Sequence, residues 1–165
     1  MKLIQLNKPQ ADLVKLLVSH KVIFLVIGGH AVLEYVNYRI TSDLDILLSR
    51  SRGNASKLAK AFESNNWQAP IGKKWIDALT QPRVRLAYPT DVNKEADLLT
   101  SIDGIDFGKC YEKSVLVKFE KLELRVPSLL DLIEMKKCSM VSGNDKNAQE
   151  KDAIDINELQ KQVTN

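Results

Sequence analysis

Apolar and polar positions alternate along the chain with two periods, and they mark out short helices and strands. From Pro9 to His20, residues Leu13, Leu16, Leu17 and His20 recur at helical spacing, with Pro9 near the start, and predict a first helix. "VIFLVIGG" (22–29) is short, β-branched and continuously apolar, the pattern of a buried strand. "GHAVLEYVNY" opens a helix directly at the glycines. "DLDILLS" (43–49) reads as a second strand. "ASKLAKAFESNNW" (55–67) reads as an amphipathic helix with Leu58, Ala61 and Phe62 on one face. Residues 68–81, with breakers at both ends, read as a loop or irregular insertion. "VRLAY" (84–88) and "EADLLTS" (95–101) are predicted strands, the second ending at the turn "IDGIDFG" (102–108). "SVLVKF" (114–119) and "LELRV" (122–126) flank "EK" as a hairpin whose turn lacks glycine. After Pro127 the chain turns helical. Ser128 followed by Asp131 resembles a capping box with Asp in place of Glu, and Leu129, Leu132, Ile133 and Met135 lie on this helix. "VSGNDKNAQ" (141–149) reads as a polar loop, and a last helix starts near Glu150 with Ile154 and Leu159 inward.

Helices and strands interleave first, strands follow, and helices close the chain, which is an α+β (mixed α/β) order. No linker or repeat divides it, so one domain is expected over 1–165, with a core at 9–126 and C-terminal helices at 128–160. The length of 165 residues suits one domain with a real core. The 44% apolar and 27% charged residues are ordinary for a soluble protein. A net charge of +3 and a pI of 8.8 fall short of a dedicated nucleic-acid binder, yet permit RNA or an anionic ligand. Cys110 and Cys138 form no C-x-x-C pair and read as reduced thiols. The N-terminus has no signal-peptide core, and the longest apolar run, Val22 to Ile27, is too short to span a bilayer. A cytoplasmic protein without a membrane partner is expected.

The chemistry concentrates in "VIGGHAVLEYVNYRITSDLDILLS" (26–49). Asp43 and Asp45 stand at i and i+2 on a predicted strand, so their side chains share a face about 6.5 Å apart. Two like charges in an apolar context repel, and burial raises a carboxyl pKa, so compensation is required. A divalent cation is the simplest candidate, because Mg²⁺ takes one or two carboxylates and completes its shell with water and phosphate oxygens. Upstream, Gly28 and Gly29 end a strand and open a helix, where backbone can approach a ligand and helix N–H groups favour phosphate. His30 stands in the first turn, able to add a hydrogen bond. Each feature alone also fits a plain turn or a solvated strand end.

Together they resemble the nucleotidyltransferase superfamily of DNA polymerase β type, whose signature is G-[GS], a spacer, then D-h-[DE]-h with h apolar. The chain reads Gly28-Gly29, thirteen residues, then Asp43-Leu44-Asp45-Ile46. "NYRITSDLDILLS" is similar to the R-x-T-x-D-h-D form of small bacterial members, among them partners in abortive-infection and toxin–antitoxin systems. The resemblance implies a small mixed sheet flanked by helices. It also implies that Arg39 and Thr41 flank the site and that Ser42 faces the triphosphate. It calls for a third acid on a neighbouring strand, which binds one metal and helps deprotonate the attacking hydroxyl. Asp97, between Ala96 and Leu98, is the first choice, with Glu95 and Asp103 as rivals. In the tail, "VPSLLDLIEMKK" and "EKDAIDINEL" are similar to two helices of the family. That likeness brings Lys136 to the phosphates and Lys151, with Asp152 and Asp155, to the mouth. Where small members usually carry an Arg before the Lys-Asp pair, this chain has Gln149 and Glu150.

The expected activity is therefore transfer of a nucleoside monophosphate from a nucleoside triphosphate such as ATP to a hydroxyl, with Mg²⁺ or Mn²⁺ held by Asp43, Asp45 and Asp97. Gly28, Gly29, His30, Arg39, Thr41, Ser42, Lys136 and Lys151 are the expected nucleotide-binding residues. The acceptor is left open among an RNA or tRNA 3′ end, a protein hydroxyl and a small molecule. A partner protein or a second subunit is a candidate to complete so small a site. The alternatives are a non-catalytic binding module or antitoxin of the same fold, and a nucleotide sensor without an acceptor.

Overall fold

Four apolar segments pair into one mixed sheet, and two more form a separate hairpin. A computed structural model of the chain describes residues 3–37, 39–65 and 73–165, without the Lys73 side chain. The elements are α1 (Lys8–Ser19), β1 (Phe24–Ile27), α2 (Gly28–Tyr35), β2 (Leu44–Leu48), α3 (Arg52–Ser64), α4 (Lys73–Leu79), β3 (Arg85–Tyr88), β4 (Ala96–Leu99), α5 (Phe107–Glu112), β5 (Val115–Phe119), β6 (Leu122–Val126), α6 (Leu129–Ser142) and α7 (Lys146–Val163). The fold is α+β, as the order of the apolar segments predicts. β1 runs antiparallel to β2, β2 parallel to β4, and β3 antiparallel to β4.

Side-chain alternation gives the sheet two unlike faces. Val26, Leu44, Ile46, Leu48, Ala96 and Leu98 enter the main core with Leu13, Leu17, Leu58 and Phe62 from the helices. Leu25, Ile27 and Leu47 face the other way and form a smaller cluster with Cys110 and Met135. The helices start where side chains satisfy their first N–H groups. Asn7 and Gln10 form a reciprocal capping box on α1, and Ser51, Asp106, Ser128 and Asp145 cap α3, α5, α6 and α7.

Four expectations are corrected. Part of the predicted loop at 68–81 is helix α4, because Trp75, Ile76 and Leu79 lie at helical spacing and pack on the core, Trp75 edge-on to Phe62 at 5.8 Å. Residues 66–72, the last two of the predicted helix 55–67 and the first five of the predicted loop, lie outside the described residues. The second half of the predicted turn "IDGIDFG" opens α5, with Asp106 as its cap. α7 begins at Lys146 rather than near Glu150, because Asp145 supplies a cap inside the predicted loop. Ile154, expected inward, is 55% exposed, and Asp152, Asp155 and Leu159 are buried instead. No helix among the described residues is long and apolar enough to cross a membrane.

One polar side chain holds the starts of the two strands that carry the aspartates. Gln10, 2% exposed, donates from Nε2 to the carbonyl of Ser42 at 2.7 Å and to that of Glu95 at 3.0 Å. Its Oε1 accepts from the backbone N–H of Asn7 at 3.2 Å. Gln10→Met keeps the shape but strips the donors from two buried carbonyls, each costing on the order of 1–3 kcal/mol if left unsatisfied. The variant is expected to lose about 2–3 kcal/mol in urea unfolding. A loss under about 0.5 kcal/mol would mean that water replaces the amide.

Candidate functional site

The second face of the sheet carries the acids. Asp45 shares its parity with Leu47, so it points away from the main core, and the parallel register sets Asp97 directly opposite it. Neighbouring strands lie about 4.8 Å apart, so the two carboxylates stand side by side. Asp97 is 8% exposed and Asp45 is half-buried. Asp43 precedes β2 and is exposed.

The two buried acids are compensated unequally. Asp97 has a cation on each oxygen, Arg85 Nη2 at 2.7 Å from Oδ1 and Lys94 Nζ at 2.8 Å from Oδ2. No ion pair reaches the Asp45 carboxylate among the described residues. Burial above all, then the neighbouring Asp97 charge and that of Asp43, push its pKa up to about 6 against the opposing pull of Lys136 and Lys94.

The glycine pair is shaped by these same side chains. Gly28 has φ +66, and a Cβ there would lie 2.3 Å from Asp45 Oδ2. A Cβ on Gly29 would lie 2.3 Å from Thr41 Oγ1 and 3.0 Å from Arg39 Nε. Both gaps are thus filled by the segment around Asp-x-Asp, so Gly29 admits Thr41 and Arg39 rather than a ligand at its α-carbon. α2 starts at Gly28, with Ile27 in the N-cap position and no side-chain hydrogen bond on its first turn.

The residues expected at one site separate into two cavities. A cavity of 710 Å³ is lined by Gly28, Asp45 and Lys136, together with Arg83, Arg85 and Asp103. His30, Arg39 and Thr41 line another, of 480 Å³. Ser42 is exposed and lines neither; its carbonyl is the group that Gln10 holds. Lys151 is exposed on α7 and also lines neither. Of the rival acids, Asp103 lines the same cavity as Asp45 and Glu95 does not. Glu95 lies before β4 and accepts from Asn7 Nδ2 at 2.7 Å, and Asp103 pairs with Arg83 Nε at 3.0 Å.

A buried ionic chain joins the two cavities. Lys136, 8% exposed, reaches Asp152 Oδ1 at 2.8 Å and Asp155 Oδ2 at 2.9 Å, and Asp155 also pairs with Arg39. Burial pushes the Asp155 carboxyl up, but Lys136 and Arg39 outweigh it and hold the group below its ordinary value. Asp152 and Asp155 are therefore structural counter-ions rather than a solvated helix face. Burial, with the Arg39 charge, lowers the His30 pKa against the pull of Asp43 and favours a neutral imidazole.

Among the described residues no group of three or more His, Cys, Asp or Glu is arranged to hold a metal ion. Asp45, which lines the larger cavity and has no ion pair among the described residues, offers the kind of carboxylate that Mg²⁺ accepts, whereas Asp97 and Asp43 line neither cavity. Sequence reasoning missed Arg85 and Lys94, the cations on Asp97. The signal was Arg85 itself, a charge inside the apolar strand "VRLAY" beside an acid-bearing strand.

The Asp45 carboxyl predicts how stability changes with pH. The folded protein holds this proton more tightly than the unfolded chain, so without metal the ionised form costs stability as pH rises from about 4 to about 6. Asp45→Asn removes that cost. At pH 7.5 the metal-free variant is expected to exceed wild type by about 2 kcal/mol in chemical denaturation, with the difference gone by about pH 4. Equal stability across this range would mean that Asp45 titrates normally.

No family model and no curated protein matches the chain.

Proposed function

We propose that the protein is a metal-dependent nucleotidyltransferase that moves a nucleoside monophosphate from a nucleoside triphosphate to a hydroxyl. The observation that carries this reading is Asp45, which lines a 710 Å³ cavity with Gly28 and Lys136 and stands in register with Asp97 on the neighbouring strand. Asp45 and Asp97, with Asp43 at the edge, would hold Mg²⁺ or Mn²⁺, which when bound neutralises charge on the phosphates and orients them. The uncapped N–H groups at Gly28 and Gly29 take the terminal phosphates. Lys136, fixed by Asp152 and Asp155, adds a positive field in the cavity without being free to swing. Arg85 and Lys94 release Asp97 when an incoming triphosphate offers them a competing anion. One Asp97 oxygen then accepts the proton of the attacking hydroxyl, the general-base role. The acceptor class, an RNA 3′ end, a protein or a small molecule, and a place in a toxin–antitoxin pair belong to the same proposal.

A second reading rests on one observation. Arg85 and Lys94 already neutralise Asp97, so a binding module that keeps the fold without transfer also accounts for the acid. Pyrophosphate release separates the two, measured with each of the four nucleoside triphosphates and Mg²⁺, with and without cell RNA. Transfer predicts release with at least one nucleotide, falling at least a hundredfold in Asp97→Asn while nucleotide binding survives. A non-hydrolysable triphosphate with Mg²⁺ at a hundred times its Kd should stabilise the fold by about 2.7 kcal/mol. Stabilisation without release supports the binding module, and neither effect rejects both readings.

A further inference from the structure

Lys136 and Asp45 line the same 710 Å³ cavity, yet no ion pair joins them among the described residues. Lys136 pulls on the Asp45 charge more strongly than Lys94 does, although Lys94 Nζ sits 2.8 Å from Asp97 on the neighbouring strand. The Lys136 ammonium is therefore close to an acid that has no partner of its own. A lysine is a point charge on a flexible four-carbon stem, able to turn towards an unmatched carboxylate. Something prevents this pair from closing.

The restraint comes from α7. Asp152 Oδ1 lies 2.8 Å and Asp155 Oδ2 2.9 Å from Lys136 Nζ. The two acids stand at i and i+3, so they share a face of the helix and grip one ammonium together. Asp152 is 9% exposed and Asp155 1%, which shields the grip from water. Asp155 also pairs with Arg39, so two cations meet two acids and the set is neutral. No positive charge is left over for Asp45, which faces the cavity as an unmatched carboxylate.

We propose that Asp152 and Asp155 are positioning residues that hold Lys136 off Asp45 and so keep this carboxylate open to a divalent cation. The proposal rests on the reading of Asp45 as a cation ligand. With Asp152 gone, Asp155 is already matched by Arg39, and the unmatched Asp45 becomes the stronger partner for Lys136. The ammonium then takes the place of the ion.

Mn²⁺ alone is the probe, its free concentration followed by electron paramagnetic resonance up to millimolar, with Asp45→Asn as the background for ions held elsewhere. Asp152→Asn is the sharper variant, because Asp152 pairs with Lys136 alone. It is expected to weaken the Asp45-dependent binding at least tenfold. Adding Lys136→Met removes the intruding cation and rebalances the charge, and is expected to bring binding back to the wild-type level or tighter. A metal-free arm separates a moved lysine from a mere loss of negative field. Asp45→Asn is expected to raise the urea midpoint of wild type at pH 7.5 but to lower that of Asp152→Asn, where it would break the new ion pair. Unchanged Mn²⁺ binding in Asp152→Asn, or a midpoint that still rises there, overturns the proposal. Should Asp152→Asn fail to fold, the charge-balanced double variant decides alone. Wild-type binding in it means that Asp152 is needed only while Lys136 is present, and tenfold weaker binding overturns the proposal. Absence of Asp45-dependent binding in wild type rejects the metal reading together with this proposal, whereas binding that ignores Asp152 rejects the proposal only. Neither arm uses a nucleotide or turnover, so the result stands whether or not pyrophosphate release is found.

Discussion

Two carboxylates about one strand spacing apart repel unless something positive is brought to them. The parallel pairing of β2 with β4 imposes that condition, because its register sets Asp45 against Asp97. Much of the surrounding structure answers it. Arg85 and Lys94 converge on Asp97, Lys136 is held within electrostatic reach of Asp45, and Gln10 fixes the backbone just before both strands. The compensation is lopsided. One acid is doubly paired, while the other is left with a proton affinity near neutrality. That imbalance is a reason to read the pair as a site rather than as a salt-bridge network, since a network serving stability alone would gain by neutralising both.

The glycines belong to the same arrangement. Gly28 clears space for the Asp45 carboxylate and Gly29 for Thr41 and Arg39. The helix start and the Asp-x-Asp segment are therefore packed into each other, and neither could be moved without the other. This close approach also divides the site. Asp45 and Lys136 face the larger cavity, while Arg39, Thr41 and His30 face the smaller.

The sheet and its acids were legible because period-two alternation and apolar runs are local signals. Asp45 and Asp97 could be placed on strands from their neighbours alone, whereas Asp43, read as part of the same strand, lies before β2 and is exposed, and the register that sets Asp45 against Asp97 is a long-range contact. What could not be read is what depends on distant contacts. α4 is short and flanked by breakers, and its helical character comes from packing Trp75 and Leu79 on the core. In α7 hydrophobicity pointed Ile154 inward, but the buried Lys136 and Arg39 require acids, so Asp152 and Asp155 take the inner positions. The division of the glycine–aspartate segment between two cavities is equally invisible in a linear motif, since adjacent residues of a helix start can face opposite sides.

The buried ionic chain gives the last helix a part in the site that its position in the sequence conceals. Arg39, Lys136, Asp152 and Asp155 sum to zero charge only when all four are in place. Removing Asp155 would therefore take a partner from a cation of both cavities at once, since Lys136 and Arg39 share it, and leaving a charge without its partner in so enclosed a place costs more than the pair itself contributes.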